Sequence, residues 1–209
     1  MQQVGHVLIV EDDAQLRKTL QGVLSYAGYE VHSWSDPTEF LDDVPALAPA
    51  VIITDMRLPG MSGVELHQVL IARGVAMPVI YVSGESTVQE GIRAMKLGPV
   101  DFLLKPFGRE DLLRAVAAAI ERDRYHMRET LERSRLQQAM SHLSPREREV
   151  YHLLIKGYSN GEIMDALRVS LPTAKQYKSR VMHKLGARSL SQLMNLHPDS
   201  EAPGEDATA

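Results

Sequence analysis

Short apolar runs alternate with segments of helical periodicity over residues 1–120. The apolar runs are His6–Val10, Val51–Thr54, Pro78–Val82 and Val100–Leu104, with a weaker run at Glu30–Trp34. Strands that are apolar at almost every position are typical of a parallel sheet covered by helices on both faces. After the first run, Leu16, Leu20 and Leu24 repeat with the spacing of a helix. The pattern predicts a doubly wound α/β domain in which five parallel strands alternate with five helices.

A long polar helical pattern follows over residues 109–141, without glycine or proline. Its interrupted apolar stripe consists of Leu113, Val116, Ala117, Ile120, Met127 and Leu131. Near Leu113 we expect the stripe to pack on the first domain. Beyond Arg122 we expect no part of that domain left to contact, which makes this portion a candidate seam between two copies of the chain. We assign residues 121–141 to a helical linker.

Residues 142–197 carry only helical signals. Ser144, Pro145 and Glu147 are typical of a capped helix start, and Gly157 marks the end of that helix. The second predicted helix is capped by Ser159 or Asn160 and runs to about Leu167. The third, Leu171–Leu185, follows Ser170, and the fourth is Ser189–Asn195. We predict a compact all-α domain of four short helices. Residues 198–209 are acidic and lack apolar content, which predicts a disordered tail.

The distribution of charge separates the two domains. The chain has a net charge of −4, but residues 1–120 carry −6 and residues 142–197 carry +5. A basic domain beside an acidic one is expected to meet a polyanion such as nucleic acid. The chain contains no cysteine, which excludes disulfide and thiolate chemistry. We find no signal peptide and no apolar run long enough to span a bilayer, so we expect a cytoplasmic protein.

Polar residues follow the predicted strands at their carboxyl ends. Glu11 and Asp12 follow the first run, Asp55 the third and Lys105 the fifth, and Ser83 ends the fourth. Open α/β sheets place ligand sites at this edge. Three carboxylates there would repel one another unless a divalent cation such as Mg²⁺ lay between them. A carboxylate in such a site can accept a phosphoryl group while the cation and the lysine neutralise the developing charge.

Residues 4–120 resemble the receiver domain of two-component response regulators. The matching stretches are Val10–Asp13, Thr54–Gly63, Ser83–Gly84 and Asp101–Phe107. The resemblance implies a CheY-like fold in which Asp55 is the phosphoacceptor. The implied cofactor is Mg²⁺ or Mn²⁺. Its implied ligands are Asp55, Asp12, Glu11 through a water molecule, and the backbone carbonyl of Arg57.

The same resemblance implies a conformational switch. Ser83 would move to bond the phosphoryl group, Lys105 would neutralise its charge, and Phe102 would rotate inward. The resemblance also implies a cis peptide bond between Lys105 and Pro106. Asp13 is expected to cap the first helix and not to bind the metal.

Within the second domain, residues 142–196 resemble the LuxR/GerE-type helix-turn-helix domain. The matching stretches are Leu143–Val150, Gly157–Ile163, Val169–Ser170, Thr173–Lys175 and Lys184–Ser189. The resemblance implies that Leu171–Leu185 is the recognition helix, which enters the major groove of DNA. The implied groove-facing residues are Lys175, Gln176 and Ser179. The implied phosphate contacts are Thr173, Lys178 and Lys184.

Together the two resemblances indicate a FixJ-type response regulator that controls transcription and is not itself an enzyme acting on an external substrate. The implied partners are a cognate histidine kinase, double-stranded DNA, a second copy of the chain after phosphorylation, and RNA polymerase. Two alternatives stay open. One is a free-standing aspartyl-phosphate phosphatase or phosphotransferase. The other is a phosphorylation-independent DNA-binding protein whose receiver only dimerises.

Overall fold

The computed structural model describes residues 5–84 and 88–195. The chain divides into two compact units, and the boundary along the sequence falls between Arg128 and Glu129. This boundary falls inside the segment that the sequence assigns to a linker. The predicted disordered tail, residues 198–209, lies outside the described residues.

The first unit contains a five-stranded parallel sheet. Its strands are β1 (His6–Val10), β2 (Glu30–Trp34), β3 (Ala50–Asp55), β4 (Val79–Ser83) and β5 (Asp101–Leu104). Their order across the sheet is β2-β1-β3-β4-β5, with every pairing parallel. This order puts β1 and β3 side by side in the middle of the sheet. The doubly wound α/β fold predicted from the sequence is therefore confirmed.

In the described part of this unit, five helices connect and flank the strands. They are α1 (Ala14–Tyr26), α2 (Pro37–Asp42), α3 (Gly63–Ala72), α4 (Val88–Met95) and α5 (Arg109–Ser141). Asp13 caps α1, as predicted, because its side chain accepts hydrogen bonds from the backbone N–H groups of Gln15 and Leu16. A capping box between Ser62 and Glu65 starts α3 directly after the loop that follows β3.

A hydrophobic core lies on each face of the sheet. Alternate residues of β1 enter different cores: Val7 and Ile9 pack with α1 and α5, whereas Leu8 and Val10 pack with α2 and α3. All residues of β3 and β4 are buried. This two-sided burial explains why their sequences are apolar almost throughout.

The long helix α5 contacts the first unit further along its length than predicted. Asp123 is buried, and its Oδ2 accepts a hydrogen bond of 2.8 Å from the backbone N–H of Ala50. The expectation that nothing beyond Arg122 contacts the first domain is therefore wrong. Within the second unit, the end of α5 packs its apolar side chains into the core, namely Leu136, Ala139 and Met140. The exposed part of the stripe lies between these ends, where Met127 and Leu131 are about half exposed.

As far as Asn195, where its description ends, the second unit contains four short helices after α5. They are α6 (Pro145–Ile155), α7 (Asn160–Leu167), α8 (Leu171–Lys184) and α9 (Leu190–Asn195). Ser144, Ser159 and Ser170 are their N-caps, as the sequence predicts for the first three helices. The last helix begins one residue later than predicted. Across the described ranges, no helix has the length and apolar content that crossing a bilayer requires.

Candidate functional site

Three carboxylates converge at the carboxyl edge of the sheet. Oxygen atoms of Glu11, Asp12 and Asp55 lie within 4.8 Å of one another. They meet because β1 and β3 are adjacent and in register, with Val10 opposite Thr54, so that the residues after each strand share one edge. Glu11 and Asp55 are buried, whereas Asp12 is exposed. The structure thus brings together the acidic residues that the sequence singled out.

Lys105 reaches the same cluster from the end of β5. Its Nζ forms an ion pair with Oδ2 of Asp55 and lies 3.3 Å from Oε2 of Glu11. The peptide bond between Lys105 and Pro106 is cis, as the resemblance implied. One ammonium group therefore contacts two of the three carboxylates.

The pKa values of Glu11 and Lys105 reflect this crowding. Burial raises the pKa of the Glu11 carboxyl, and the nearby charge of Asp55 raises it further. Burial alone would lower the pKa of Lys105. The hydrogen bond to Asp55 and the charges of Glu11 and Asp55 outweigh that effect, so the pKa of Lys105 is raised overall. The lysine therefore stays cationic at neutral pH, where it pairs with the carboxyl groups of Asp55 and Glu11.

A backbone hydrogen bond orients the Asp55 side chain. The backbone N–H of Arg57 donates a hydrogen bond of 2.7 Å to Oδ1 of Asp55. The Arg57 side chain points to α4, where its Nη2 lies 3.9 Å from Oε2 of Glu90. Arg57 thus links the acidic cluster to α4 through its backbone on one side and its side chain on the other.

Two further residues shape the site without having been singled out from the sequence. A Cβ on Gly63 would lie 2.1 Å from the backbone oxygen of Asp55, so only glycine lets α3 begin this close to the strand end. Arg17 of α1 donates to the backbone oxygens of Glu11 at 2.6 Å and of Asp12 at 3.3 Å, which fixes the acidic loop. Gly63 ends one of the stretches that match the receiver domain, so the sequence did carry a signal for it. Arg17 looks like any surface arginine.

Ser83 and Phe102 lie on the neighbouring strands β4 and β5. Ser83 is buried at the end of β4. Phe102 lies opposite Tyr81 on β4, with ring centroids 5.1 Å apart. The hydroxyl of Tyr81 is in turn 2.8 Å from Nδ1 of His67 in the interior. Phe102 is half-buried and lines an open groove of about 630 Å³ together with Ile92, Met95 and Leu104.

The helix α8 presents a polar face. Lys175, Gln176 and Ser179 are exposed, whereas Ala174 and Val181 are fully buried. The burial of Ala174, Val181 and Leu185 agrees with the sequence pattern. Two members of the predicted set of phosphate contacts, Thr173 and Lys178, are half-exposed. The Thr173 hydroxyl lies 2.7 Å from that of Ser170 at the helix start.

Lys184 differs from the rest of this predicted set. Its Nζ lies 2.6 Å from Oε2 of Glu147 and 3.1 Å from the backbone oxygen of His142. The Glu147 side chain is 5% exposed, and it also accepts a hydrogen bond from the backbone N–H of Ser144. Lys184 therefore ties the end of α8 to the start of α6. Its contact with DNA phosphate stays a prediction.

The geometry of both units agrees with comparisons to known proteins. Residues 7–117 match the family model described as response regulator receiver domain, and residues 141–197 match the model described as bacterial regulatory proteins, luxR family. The chain therefore belongs to the two-component response regulators that join a receiver to a LuxR-type DNA-binding domain, and it regulates transcription.

Within that class, the chain is similar to the FixJ proteins. It is 35% identical to the transcriptional regulatory protein FixJ of Bradyrhizobium diazoefficiens over 92% of this chain and 94% of that one. It is 37% identical to the FixJ of Azorhizobium caulinodans over 97% of this chain and 96% of that one. The solved structure of the response regulator StyR matches with a TM-score of 0.79 and 32% identity, covering 91% of this chain and 96% of that one.

Proposed function

We propose that a histidine kinase phosphorylates this chain on Asp55, and that phosphorylation switches its dimerisation and its binding to specific DNA. The observation that carries the proposal is the contact of Lys105 with both Asp55 and Glu11 at the edge where three carboxylates meet. A carboxylate oxygen of Asp55 would attack the phosphorus atom, forming an O–P bond as the bond to the donor breaks. Lys105 already lies where the new negative charge would develop.

The donor set suits a hard divalent cation. Three carboxylates in close contact supply oxygen ligands, which are those that Mg²⁺ and Mn²⁺ take in proteins. We propose Asp12 and Asp55 as direct ligands, the backbone carbonyl of Arg57 as the third, and Glu11 as a ligand through water. When bound, the cation neutralises charge on the carboxylates and the phosphoryl oxygens.

Ser83 and Phe102 are the proposed switch residues. Ser83 carries a hydroxyl at the end of β4, next to the strand that ends in Asp55. Phe102 borders the groove and packs against Tyr81 with tilted ring planes, so a change in its rotamer would alter the groove's surface. Movement at the phosphorylation site would in this way reach the α4–β5 face.

The α4–β5 face is the proposed dimer surface. Ile92, Met95 and Leu104 are each more than half exposed there, which is unusual for large apolar side chains so close together. A second copy of the chain would cover them. The two recognition helices of such a dimer would meet successive half-sites of a pseudo-palindromic DNA. We place the protein in the cytoplasm, where that DNA lies, with RNA polymerase as a further partner.

The experiment compares DNA binding with and without phosphorylation. Wild type and Asp55→Asn are treated with acetyl phosphate and Mg²⁺, and molecular mass and affinity for selected DNA are measured at one fixed salt concentration. We expect dimerisation and tighter binding of wild type only, with both effects lost when Mg²⁺ is chelated beforehand. Equal affinity in all samples would favour the phosphorylation-independent DNA-binding protein. We propose no enzymatic activity beyond the chain's own phosphorylation and slow dephosphorylation.

A further inference from the structure

A second group of metal-ligating side chains lies at the other edge of the sheet. His6 and Glu30 are the first residues of β1 and β2 and lie opposite each other in the parallel register. His32 is two residues beyond Glu30 and therefore on the same face of β2. One ligand atom of each of these three side chains lies within 4.8 Å of the other two. Glu11 is five residues along from His6, about 16 Å away at the rise of a strand, so this group is separate from the acidic cluster.

Each of the two histidines has a buried ring nitrogen to which no described residue gives a hydrogen bond. Nε2 of His32 and Nδ1 of His6 are both buried without a hydrogen-bond partner among the described residues. Nδ1 of His6 does lie 3.2 Å from Oε2 of Glu30, which is an ion-pair distance, but the geometry does not meet that of a hydrogen bond. Burying a ring nitrogen without a partner costs free energy. A bound cation would remove that cost by accepting the nitrogen lone pair.

The distance between two of the three ligand atoms is that of a metal site. Metal–ligand distances of roughly 2.0–2.1 Å put neighbouring ligands of a tetrahedral ion about 3.3 Å apart. The contact between His6 and Glu30, at 3.2 Å, already has this length. Glu30 is 76% exposed, so its side chain can adjust and the cation can enter from solvent.

We propose that His6, Glu30 and His32 form a second cation site, which binds a transition metal of the Zn²⁺ class. Two imidazoles and one carboxylate favour Zn²⁺ and its neighbours over Mg²⁺, which prefers an all-oxygen set. Three protein ligands leave a fourth position for water. A metal held by β1 and β2 together would join the edge strand to the centre of the sheet.

Trp34 supplies a local probe for this site. It is the only tryptophan of the chain, and its ring stacks on His32 with centroids 6.4 Å apart. Paramagnetic Co²⁺ bound to His32 is therefore expected to quench its fluorescence, and Zn²⁺ is expected to displace Co²⁺ and restore the emission. The measurement uses the full-length chain with Asp12→Asn and Asp55→Asn, so that the acidic cluster does not compete for metal.

The chain with Asp12→Asn and Asp55→Asn is the parent of all variants in this experiment. The variants that test the site add His6→Gln, His32→Gln or Glu30→Gln to it. We expect the two histidine variants to abolish quenching at the concentration that saturates the parent, and Glu30→Gln to weaken binding at least about tenfold. His126→Gln, which removes an exposed histidine of α5, is the matched control and is expected to change nothing. Circular dichroism in the presence of a chelator checks that each variant is folded. Because Glu30 is exposed, its variant stays informative even if a histidine variant unfolds.

Three results would overturn the proposal. The first is quenching that persists in the histidine variants. The second is an equal loss of quenching in His126→Gln. The third is that the parent is folded but binds neither Co²⁺ nor Zn²⁺ at millimolar concentration. An NMR experiment on the histidine rings of the parent gives an independent readout, since Zn²⁺ must shift the ring nitrogens of His6 and His32 and leave those of His126 in place.

Discussion

The Lys105 ammonium pairs with the Asp55 carboxylate, although 50 positions separate the two residues in the sequence. The parallel sheet makes the contact, because β3 and β5 lie on either side of β4 and all three end at the same edge. A cation beside the proposed phosphoacceptor stabilises negative charge where a transferred phosphoryl group would place it. The lysine is thus part of the proposed chemistry and not only a neutraliser of buried acids.

Replacement of Lys105 tests that role. We expect Lys105→Ala to slow phosphorylation by acetyl phosphate about 100-fold, because one preorganised charge near a transition state contributes on this scale. The measurement is the rate at which the phosphorylated form appears by Phos-tag electrophoresis. Lys18→Ala removes an exposed lysine of α1 and is the control. Equal rates for Lys105→Ala and Lys18→Ala would show that Lys105 takes no part in the transfer.

Gly63 should tolerate no side chain. In Gly63→Ala the new Cβ would meet the backbone oxygen of Asp55 at 2.1 Å, so α3 or the strand end must move. We expect a loss of about 1–3 kcal/mol in the free energy of unfolding, as for other overpacked sites. We also expect slower phosphorylation, because the moved backbone belongs to the acceptor.

Gly22 provides the matched control for Gly63. It lies inside α1, and a Cβ there has no atom within 4 Å among the described residues. Gly22→Ala is therefore expected to stabilise the chain by roughly 0.5–1 kcal/mol, because alanine loses less conformational freedom on folding than glycine. Both changes are measured by urea denaturation. Similar effects of the two substitutions would contradict the tight contact at Gly63.

The ion pair between Glu147 and Lys184 predicts a pH dependence of stability. The hydrogen bond from Lys184, together with that from the backbone of Ser144, lowers the pKa of Glu147 to about 2. A carboxyl group whose pKa is lowered by folding stabilises the folded state above its unfolded pKa, near 4.5. That contribution is lost as the pH falls towards 2. We expect it to amount to about 1–2 kcal/mol, since the partly exposed lysine weakens the pair.

Glu147→Gln removes the titrating group. We expect this variant to be less stable at pH 7 and to show a shallower decline in stability between pH 4.5 and 2 than wild type. Glu149→Gln, which breaks an exposed pair with Arg146, is the control and should follow the wild-type curve. Denaturant titrations at several pH values provide the curves. A Glu147→Gln curve parallel to that of wild type would show that the Glu147–Lys184 ion pair does not cause the pH dependence of stability.

The polar residues of α8 should separate into three groups in DNA-binding measurements. Lys175→Ala and Gln176→Ala are expected to cost about 1–3 kcal/mol on the preferred sequence and to relax base preference. Lys178→Ala is expected to weaken binding to all sequences and to reduce the salt slope by about one. Because Glu147 and the carbonyl of His142 already hold Lys184, we expect Lys184→Ala to lower stability and leave the salt slope of the folded protein unchanged. A reduced slope for Lys184→Ala would instead support the phosphate contact predicted from the sequence.

Much of the fold could be predicted because local signals and the global pattern agree. The strands β3 and β4 are apolar at almost every position since both faces are buried, and capping serines mark the starts of α6, α7 and α8. The position of each acidic residue at a strand end followed from the same pattern. The convergence of Glu11, Asp12 and Asp55 needed only the rule that parallel strands end at one edge.

The features that were missed depend on contacts distant in sequence. Asp123 is polar and lies on a polar helix, so nothing local shows that it accepts a hydrogen bond from Ala50, 73 residues away. Lys184 has the charge and position of a phosphate contact, and only the packing of α6 against α8 gives it Glu147 as a partner. Similarly, His6 and His32 become neighbours only through the register of β1 and β2.

The most direct test of the central proposal is to map the phosphoryl group. The chain is incubated with acetyl phosphate and Mg²⁺ and then reduced with borohydride, which converts an aspartyl phosphate to homoserine. Peptide mass spectrometry then locates the change. We predict homoserine at position 55 in wild type and no phosphoryl incorporation in Asp55→Asn. Homoserine at any other position, or incorporation into Asp55→Asn at the wild-type rate, would contradict the proposed role of Asp55.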